Sequence, residues 1–142
     1  MAQFNVRVLG VLMNDDGEIL LLKRAPNPNS PEHVGWEFCG GGIEHSETPE
    51  EAIAREYKEE TGLRVEAMQI FNARTGTREA APLLNIAYLC RLVSGKAALT
   101  AEHEEFAWVA IEDLADYDLG RHNNLDRDAF LAISHGSGMI EE

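Results

Sequence analysis

Three glutamates in the middle of the chain have the spacing of a cation site. Glu56, Glu59 and Glu60 are separated by three and four residues, so a helix would carry all three side chains on one face. Two unit charges about 4 Å apart repel by about 4 kcal/mol at an effective dielectric near 20. A hard divalent cation converts that repulsion into binding, because Mg²⁺ favours clustered carboxylate oxygens together with substrate phosphates. The spacing therefore indicates a metal site that could act on a phosphorylated compound.

The same residues fit a second interpretation, a helix that faces water. Glu51 and Arg55, and likewise Arg55 and Glu59, are i, i+4 pairs of opposite charge. Glutamate is also a good helix former. Runs of charge on a helix are usually solvated, so the three carboxylates alone do not separate the two interpretations. The longer pattern in which they stand does.

That longer pattern resembles the Nudix box, Gly-x5-Glu-x7-Arg-Glu-U-x-Glu-Glu-x-Gly-U, where U is a bulky aliphatic residue. The residues that match in register are Gly41, Glu47, Arg55, Glu56, Glu59, Glu60, Gly62 and Leu63. Tyr57 departs from the pattern because it is aromatic, but it still offers a large apolar body to the core. The residues before the box, Trp36-Glu37-Phe38-Cys39-Gly40-Gly41, resemble the Trp-Glu-Phe-Pro-Gly-Gly segment of the family, with Cys39 in place of proline.

The resemblance implies a Mg²⁺ site, which Mn²⁺ could also occupy. It makes Glu56 and Glu60 the principal ligands, and Glu59 either a further ligand or the base that activates water. The carbonyl of Gly40 would be another ligand, since glycine lets an ion approach the backbone closely. Gly41 is placed with the substrate-binding residues for the same reason. The general base varies among Nudix enzymes, so the sequence leaves it unassigned.

Three further residues are expected to support this site. The resemblance places Arg55 and Glu47 in the catalytic group as partners that fix the loop against the helix. Arg24 ends an apolar run, and the basic residue at this position in the family often reaches substrate phosphates. A solvated charge at the end of a strand is the alternative, and it is preferred for the neighbouring Lys23.

A further acidic ligand is expected from the segment Glu102-His103-Glu104-Glu105. Glu102 is the first choice, because Glu-His several residues before a tryptophan resembles several nucleoside-triphosphate Nudix pyrophosphatases. Glu105 is the second choice. His103 is interpreted as a hydrogen-bonding loop residue and not as a metal ligand. The alternative interpretation, a charged and solvated loop, must hold for at least some of these residues.

Local signals predict the helix that displays the carboxylates. Thr48 can serve as the N-cap, Pro49 suits the first helical position, and Glu51 completes a Thr-x-x-Glu capping box. Gly62 supplies a left-handed stop. The helix is therefore predicted over residues 49–60.

The remaining elements follow from apolar patterning. Strands are predicted over residues 4–13, 18–23, 36–38, 64–71, 83–93 and 106–110. Residues 14–17 predict a hairpin turn, and helices are predicted at residues 111–114 and 124–134. Composition predicts loops over residues 25–35, which could overhang the site, and 72–82, with a frayed tail at 135–138. Strands flanked by helices indicate an α/β fold, and the resemblance makes it a Nudix-type α/β/α sandwich around a mixed β-sheet, in a single domain over residues 1–142.

Bulk properties restrict the class of protein. A chain of 142 residues suits one domain, and its net charge of −13 argues against a protein that wraps nucleic acid. Cys39 and Cys90 are expected to be buried free thiols in a reducing cytosol. No signal peptide and no apolar run of about 20 residues is present, so a cytoplasmic protein with no membrane contact is expected. A homodimer is an open expectation, since many relatives of this family are dimers.

Three classes of function remain. The first is metal-dependent hydrolysis of a nucleoside diphosphate linked to another group, with a nucleoside triphosphate cleaved to the monophosphate and pyrophosphate as the first choice. ADP-ribose and dinucleoside polyphosphates are the alternative substrates. A non-catalytic nucleotide sensor is the second class, although such proteins commonly lose box carboxylates and this chain retains them. An isoprenoid diphosphate isomerase is the third, and it would need Cys39 or Cys90 in catalysis.

Overall fold

A mixed sheet forms the middle layer of the protein, seen in a computed structural model that describes residues 4–29, 35–78 and 80–136. Within these residues seven strands join in one sheet of order β3-β2-β1-β6-β5, with β4 paired to β1 and β7 paired to β2. Only β1 and β6 run parallel among the described pairs. The strands are β1 Asn5–Met13, β2 Glu18–Arg24, β3 Gly35–Glu37, β4 Cys39–Gly42, β5 Arg64–Arg78, β6 Ala81–Ser94 and β7 His103–Ala110. The helices are α1 Pro49–Thr61, α2 Ile111–Leu114 and α3 Gly120–Gly136.

The sheet is buried on both faces because its central strands are apolar on both sides. Along β2, Leu20 and Leu22 pack in a cluster with α1, whereas Ile19 and Leu21 pack in a second cluster that includes Phe130 of α3. Successive strand residues point to opposite faces, so α1 and α3 lie on opposite sides of the sheet. The expected α/β/α sandwich is confirmed, and both cysteines are buried free thiols as predicted.

The aromatic residue in the box is accommodated by a glycine beneath it. Tyr57 is 1% exposed, and its hydroxyl donates a 2.8 Å hydrogen bond to the carbonyl of Gly10 in β1. A Cβ at Gly10 would lie 2.8 Å from the Tyr57 ring. The phenol therefore fits because the sheet has no side chain at that point, and its hydroxyl has the partner that a buried tyrosine requires.

Both ends of α1 are held as the sequence predicts. The Thr48 hydroxyl accepts from the Glu51 backbone N–H at 3.1 Å, and the Glu51 carboxylate accepts from the Thr48 N–H at 2.8 Å. At the other end Gly62 has a φ of 74°, and its N–H donates to the carbonyl of Lys58. These caps fix where the acidic helix begins and ends, and so fix the position of its carboxylates against β4.

The predicted loop over residues 72–82 is wrong. β5 continues to Arg78 and pairs with β6, from Asn72 opposite Ala87 to Arg78 opposite Ala81. The C-terminal part of β5 is largely exposed and is therefore polar. From sequence alone such a polar composition predicts a loop, which is why this part of the strand was not predicted. Elsewhere β7 begins at His103 and not at residue 106, and α3 begins at Gly120 and not at residue 124.

Two expectations fall partly outside the described residues. Of the predicted loop over residues 25–35, residues 30–34 are not described, and neither are residues 137–142, which include part of the predicted tail. In the part of the chain that is described, no helix has the length and apolar character needed to cross a membrane.

Removal of the N-cap should destabilise the fold without altering the core. We expect Thr48→Ala to lower the free energy of unfolding by about 1 kcal/mol, because the Glu51 N–H loses its acceptor. Urea titration followed by circular dichroism measures this. Thr48→Ser keeps the hydroxyl and should retain most of the stability, and equal losses in the two variants would contradict a capping role.

Candidate active site

Two of the three helix carboxylates meet in a cleft beside β4. The side chains of Glu56 and Glu60 are each 13% exposed, and each carboxyl group influences the pKa of the other. Burial, together with the neighbouring Glu56, raises the pKa of Glu60 to about 8. Burial also raises the pKa of Glu56. These two groups are therefore poorly hydrated acids that repel when both are charged.

Glu59 is placed differently, although it lies on the same face of α1. Its side chain is 58% exposed and accepts a 3.2 Å hydrogen bond from Nη1 of Arg55. It lines the cleft but remains in contact with solvent. The structure therefore brings Glu56 and Glu60 together and leaves Glu59 at the mouth.

Glycines in β4 let the helix carboxylates approach the sheet. A Cβ at Gly41 would overlap the Glu56 carboxylate, and a Cβ at Gly40 would meet the backbone of Val8 in β1. Both glycines line the cleft, as the expected roles of the Gly40 carbonyl and of Gly41 require. No other residue type would allow this contact between strand and helix.

Arg55 connects the loop before α1 to the helix itself. Its Nε and Nη2 donate to the two oxygens of Glu47 at 2.7 and 3.1 Å, and Nη2 also donates to the carbonyl of Gly42 at 3.0 Å. Glu47 in turn accepts from the backbone N–H of Glu44. The hydrogen bond from Arg55 lowers the pKa of Glu47. The pair therefore has the arrangement expected of residues that fix the loop geometry.

A second group of polar residues faces Glu60 from β7 and β3. The ring of His103 is buried, with Nε2 2.7 Å from Oε2 of Glu37 and Nδ1 3.8 Å from Oε1 of Glu60. One ligand atom from each of Glu60, Glu102 and His103 lies within 4.8 Å of the others. The prediction that His103 is a loop residue is wrong, because it begins β7, although it does form the expected hydrogen bond.

Arg24 lies beside this group, between two carboxylates. Its Nη1 is 3.7 Å from Oε2 of Glu37 and 3.9 Å from Oε2 of Glu102. It also lines the cleft, so a bound phosphate would be within its range. The positive charge of Arg24 is therefore partly balanced by its ion pairs with Glu37 and Glu102.

Glu105, the second choice for the outer ligand, does not lie among the described residues that line the cleft. The pairing of β7 with β2 shifts between Lys23 and Arg24, so that Glu105 lies opposite Lys23 and His103 opposite Arg24. A bulge changes the face to which the following side chains point. Glu105 is therefore exposed beside Lys23, while Glu102 lines the cleft.

Besides the predicted Arg24, the cleft collects four basic residues that sequence reasoning missed. It encloses about 880 Å³ and is lined by five of the twelve Lys and Arg residues of the chain: Arg7, Arg24, Arg74, Arg78 and Arg121. Arg7 has no ion pair to any described residue, and burial with the nearby Arg78 lowers its pKa. The one available signal was a charged residue within the apolar run of β1.

Arg74 and Asn85 are held by a buried acid. Asp126 of α3 is fully buried and accepts hydrogen bonds from Arg74 at 3.2 and 3.3 Å and from the Asn85 amide at 3.3 Å. Asn85 lies opposite Arg7 on one side and Arg74 on the other. Cross-strand partners share a face, so these three polar side chains form a row across β5, β6 and β1.

Comparison with known proteins places this geometry in one family. A family model described as the NUDIX domain matches residues 3–131. A MutT-like protein of Streptomyces ambofaciens is 30% identical over 112 residues, covering 79% of this chain and 68% of that protein. The nucleoside triphosphatase NudI of Escherichia coli is 32% identical over 119 residues, covering 76% and 84%.

The fold comparison agrees with the sequence comparison. The crystal structure of a MutT protein from Methanosarcina mazei superposes with a TM-score of 0.78 at 24% identity, and the alignment covers 96% of this chain and 98% of that one. The domain match spans the sheet, α1 with its buried acids, and most of α3. On these grounds the chain belongs to the Nudix family, whose hydrolases cleave phosphoanhydride bonds.

Proposed function

We propose that the protein hydrolyses a nucleoside triphosphate to the monophosphate and pyrophosphate, with a divalent cation, Mg²⁺ or Mn²⁺. The observation that supports this most is that one cleft contains both the largely buried acids Glu56 and Glu60 and the guanidinium of Arg7, which forms no ion pair with any described residue. Acids of this kind suit a cation, and arginines suit the phosphates that the cation accompanies. The name of the Escherichia coli relative, a nucleoside triphosphatase, favours the same substrate class.

The residues present fit a hard divalent cation. Glu56 and Glu60 offer carboxylate oxygens that are crowded and poorly hydrated, so a bound cation would relieve their repulsion. We assign Glu102 and the Gly40 carbonyl as the further ligands, since both residues line the cleft. When bound, the ion would offset the charge of the phosphates and lower the pKa of an attacking water.

The chain itself supplies binding and orientation. Arg7 is the strongest phosphate ligand in this proposal because it forms no ion pair with a described carboxylate. Arg24 assists from β2, the neighbouring strand. Arg55 and Glu47 keep the loop and α1 in register and do not themselves contact substrate. Glu59 is the one box carboxylate with enough exposure to accept a proton from solvent water, and we assign it as the candidate base.

Two fixed amides in the cleft suit a nucleobase. Oδ1 of Asn123 accepts from the Phe38 backbone N–H at 3.0 Å, which leaves its Nδ2 as a donor. The Asn85 amide nitrogen donates to Asp126, which leaves its Oδ1 as an acceptor. Both residues line the cleft near Phe38 and Leu83. Base edges present adjacent donors and acceptors, so this wall supports a nucleotide in preference to inorganic polyphosphate.

A panel of substrates tests the proposed reaction directly. With Mg²⁺ present, we expect nucleoside triphosphates to yield pyrophosphate and the monophosphate, and to be preferred over ADP-ribose and dinucleoside polyphosphates. Ion chromatography separates pyrophosphate from phosphate. EDTA should stop the reaction, and added Mg²⁺ should restore it. Release of phosphate alone, or undiminished turnover in EDTA, would be evidence against the proposal.

Two adjacent glycines give a matched pair of variants. We expect Gly41→Ala to lower kcat by about 100-fold or more, because its Cβ would displace the Glu56 carboxylate. Gly42→Ala should keep near-normal kcat, since a Cβ there meets nothing within 4 Å. Steady-state kinetics with circular dichroism as a folding check measures both. The assignment of Glu56 fails if the Gly41 variant folds and retains full activity.

The raised pKa of Glu60 predicts how the metal-free stability depends on pH. Because the pKa of Glu60 is about 8 in the folded state and the ordinary pKa of a glutamate is 4.5, the folded state holds more protons than the unfolded state between these values. The stability that the protonated Glu60 side chain contributes to the folded state is therefore fully present below about pH 4.5, and it is lost as pH rises to about 8. In EDTA, Glu60→Gln should become progressively more stable than the wild type over that window.

Denaturant unfolding at several pH values in EDTA measures that difference. Glu59→Gln is the control, because its carboxylate is largely exposed and should not produce the same trend. Saturating Mg²⁺ should reduce the decline in the wild type. A constant difference between Glu60→Gln and wild type across the window would mean that Glu60 is not a crowded acid.

A further inference from the structure

We propose that Nδ1 of His103 is a ligand of the divalent cation, together with the carboxylates of Glu60 and Glu102; this inference rests on the proposed metal-dependent function. It extends the oxygen ligands already assigned by one nitrogen. It also reverses the interpretation of His103 drawn from the sequence.

The first argument is an atom without a partner. Among the described residues, Nδ1 of His103 is the buried side-chain nitrogen or oxygen that has no hydrogen bond. The side chain of His103 is 0% exposed, so bulk solvent does not reach this atom. A buried polar atom without a hydrogen bond is unfavourable, and such an atom requires a specific explanation. A ligand bond to a cation would satisfy it.

The second argument is the direction in which that atom points. Nδ1 lies 3.8 Å from Oε1 of Glu60, which is too long for a hydrogen bond. Two ligands of one ion, each about 2.1 Å from it, lie about 3.0 Å apart when adjacent and about 4.2 Å apart when opposite. The observed separation falls within that range. Glu102 contributes an oxygen within 4.8 Å of a ring nitrogen of His103 and of a carboxylate oxygen of Glu60.

The third argument is the partner on the other side of the ring. Nε2 of His103 lies 2.7 Å from Oε2 of Glu37, and the acceptor capacity of the carboxylate places the ring proton on Nε2. The lone pair is then on Nδ1, which faces Glu60. Histidines that bind metals almost always donate their other N–H to a carboxylate, carbonyl or water. Glu37 therefore acts as a positioning residue for the imidazole.

The irregular pairing of β7 with β2 places the ring where it can do this. The pairing shift between Lys23 and Arg24 sets His103 opposite Arg24, beside Glu37 and Glu60. A regular strand would have paired residue 104 with Arg24 and turned residue 103 to the other face. The bulge is thus what brings an imidazole to the acids.

A nitrogen ligand changes the expected choice of metal. Imidazole suits first-row transition metals, whereas sites made only of carboxylate, carbonyl and water suit Mg²⁺. We expect the site to bind Mn²⁺ and Co²⁺ more tightly than Mg²⁺. We also expect His103→Asn to raise the Kd for Mn²⁺ by about 10-fold or more, and to change the Kd for Mg²⁺ less.

Electron spin echo envelope modulation of Mn²⁺ bound to the wild-type protein tests this without any substrate. A directly bound imidazole should give ¹⁴N modulation that becomes a ¹⁵N pattern when the histidines are labelled. His103→Asn should abolish it, and His45→Asn, which changes an exposed histidine, should not. If His103→Asn does not fold, a variant with the other four of the five histidines replaced by Asn should still show it.

Each result decides the inference. Nitrogen modulation that survives in the variant that keeps only His103 supports the inference. Mn²⁺ bound without nitrogen modulation, or with modulation that is lost in that variant, overturns the inference and leaves the proposed hydrolase in place. Failure of Mn²⁺ and Mg²⁺ to bind at all would overturn both, and isothermal titration calorimetry with each metal distinguishes that case.

Discussion

Crowding of the Glu56 and Glu60 carboxyl groups is the constraint on which the rest of the structure depends. Two poorly hydrated acids side by side in a cleft are unfavourable for an isolated fold, so other interactions must hold them there. The caps of α1 fix the helix, the glycine at position 41 removes the side chain that would displace Glu56, and Arg55 ties the preceding loop to the helix. Each of these is needed because the acids would otherwise separate.

The sequence reveals this part of the molecule because its signals are local. Thr48, Glu51 and Gly62 act on backbone groups within a few residues, and the spacing of the box acids follows directly from the helix period. The rest depends on contacts between distant segments. A pairing shift between β2 and β7 places His103, and not Glu105, beside the site. The hydrogen bond from Arg74 to Asp126 joins residues that are distant in the sequence. No local pattern encodes either result.

Charge is distributed unevenly between the cleft and the rest of the surface. The chain carries a net charge of −13, yet five of its twelve basic residues line one cleft. The negative charge of the protein repels a polyphosphate that approaches the rest of the surface, and the arginines in the cleft offset this repulsion there. Association should therefore depend on ionic strength and on whether the nucleotide arrives with its cation, since the complex carries less negative charge.

The contact between Tyr57 and Gly10 has a consequence for divergence of the sequence. Since the phenol occupies the space where a Cβ at residue 10 would lie, these two positions are constrained as a pair. A homologue with an aliphatic residue at position 57 gains room for a methyl group in β1, while one that keeps tyrosine must keep glycine. Covariation between positions 10 and 57 would therefore identify the relatives in which the acidic helix packs on the sheet through the same tyrosine–glycine contact.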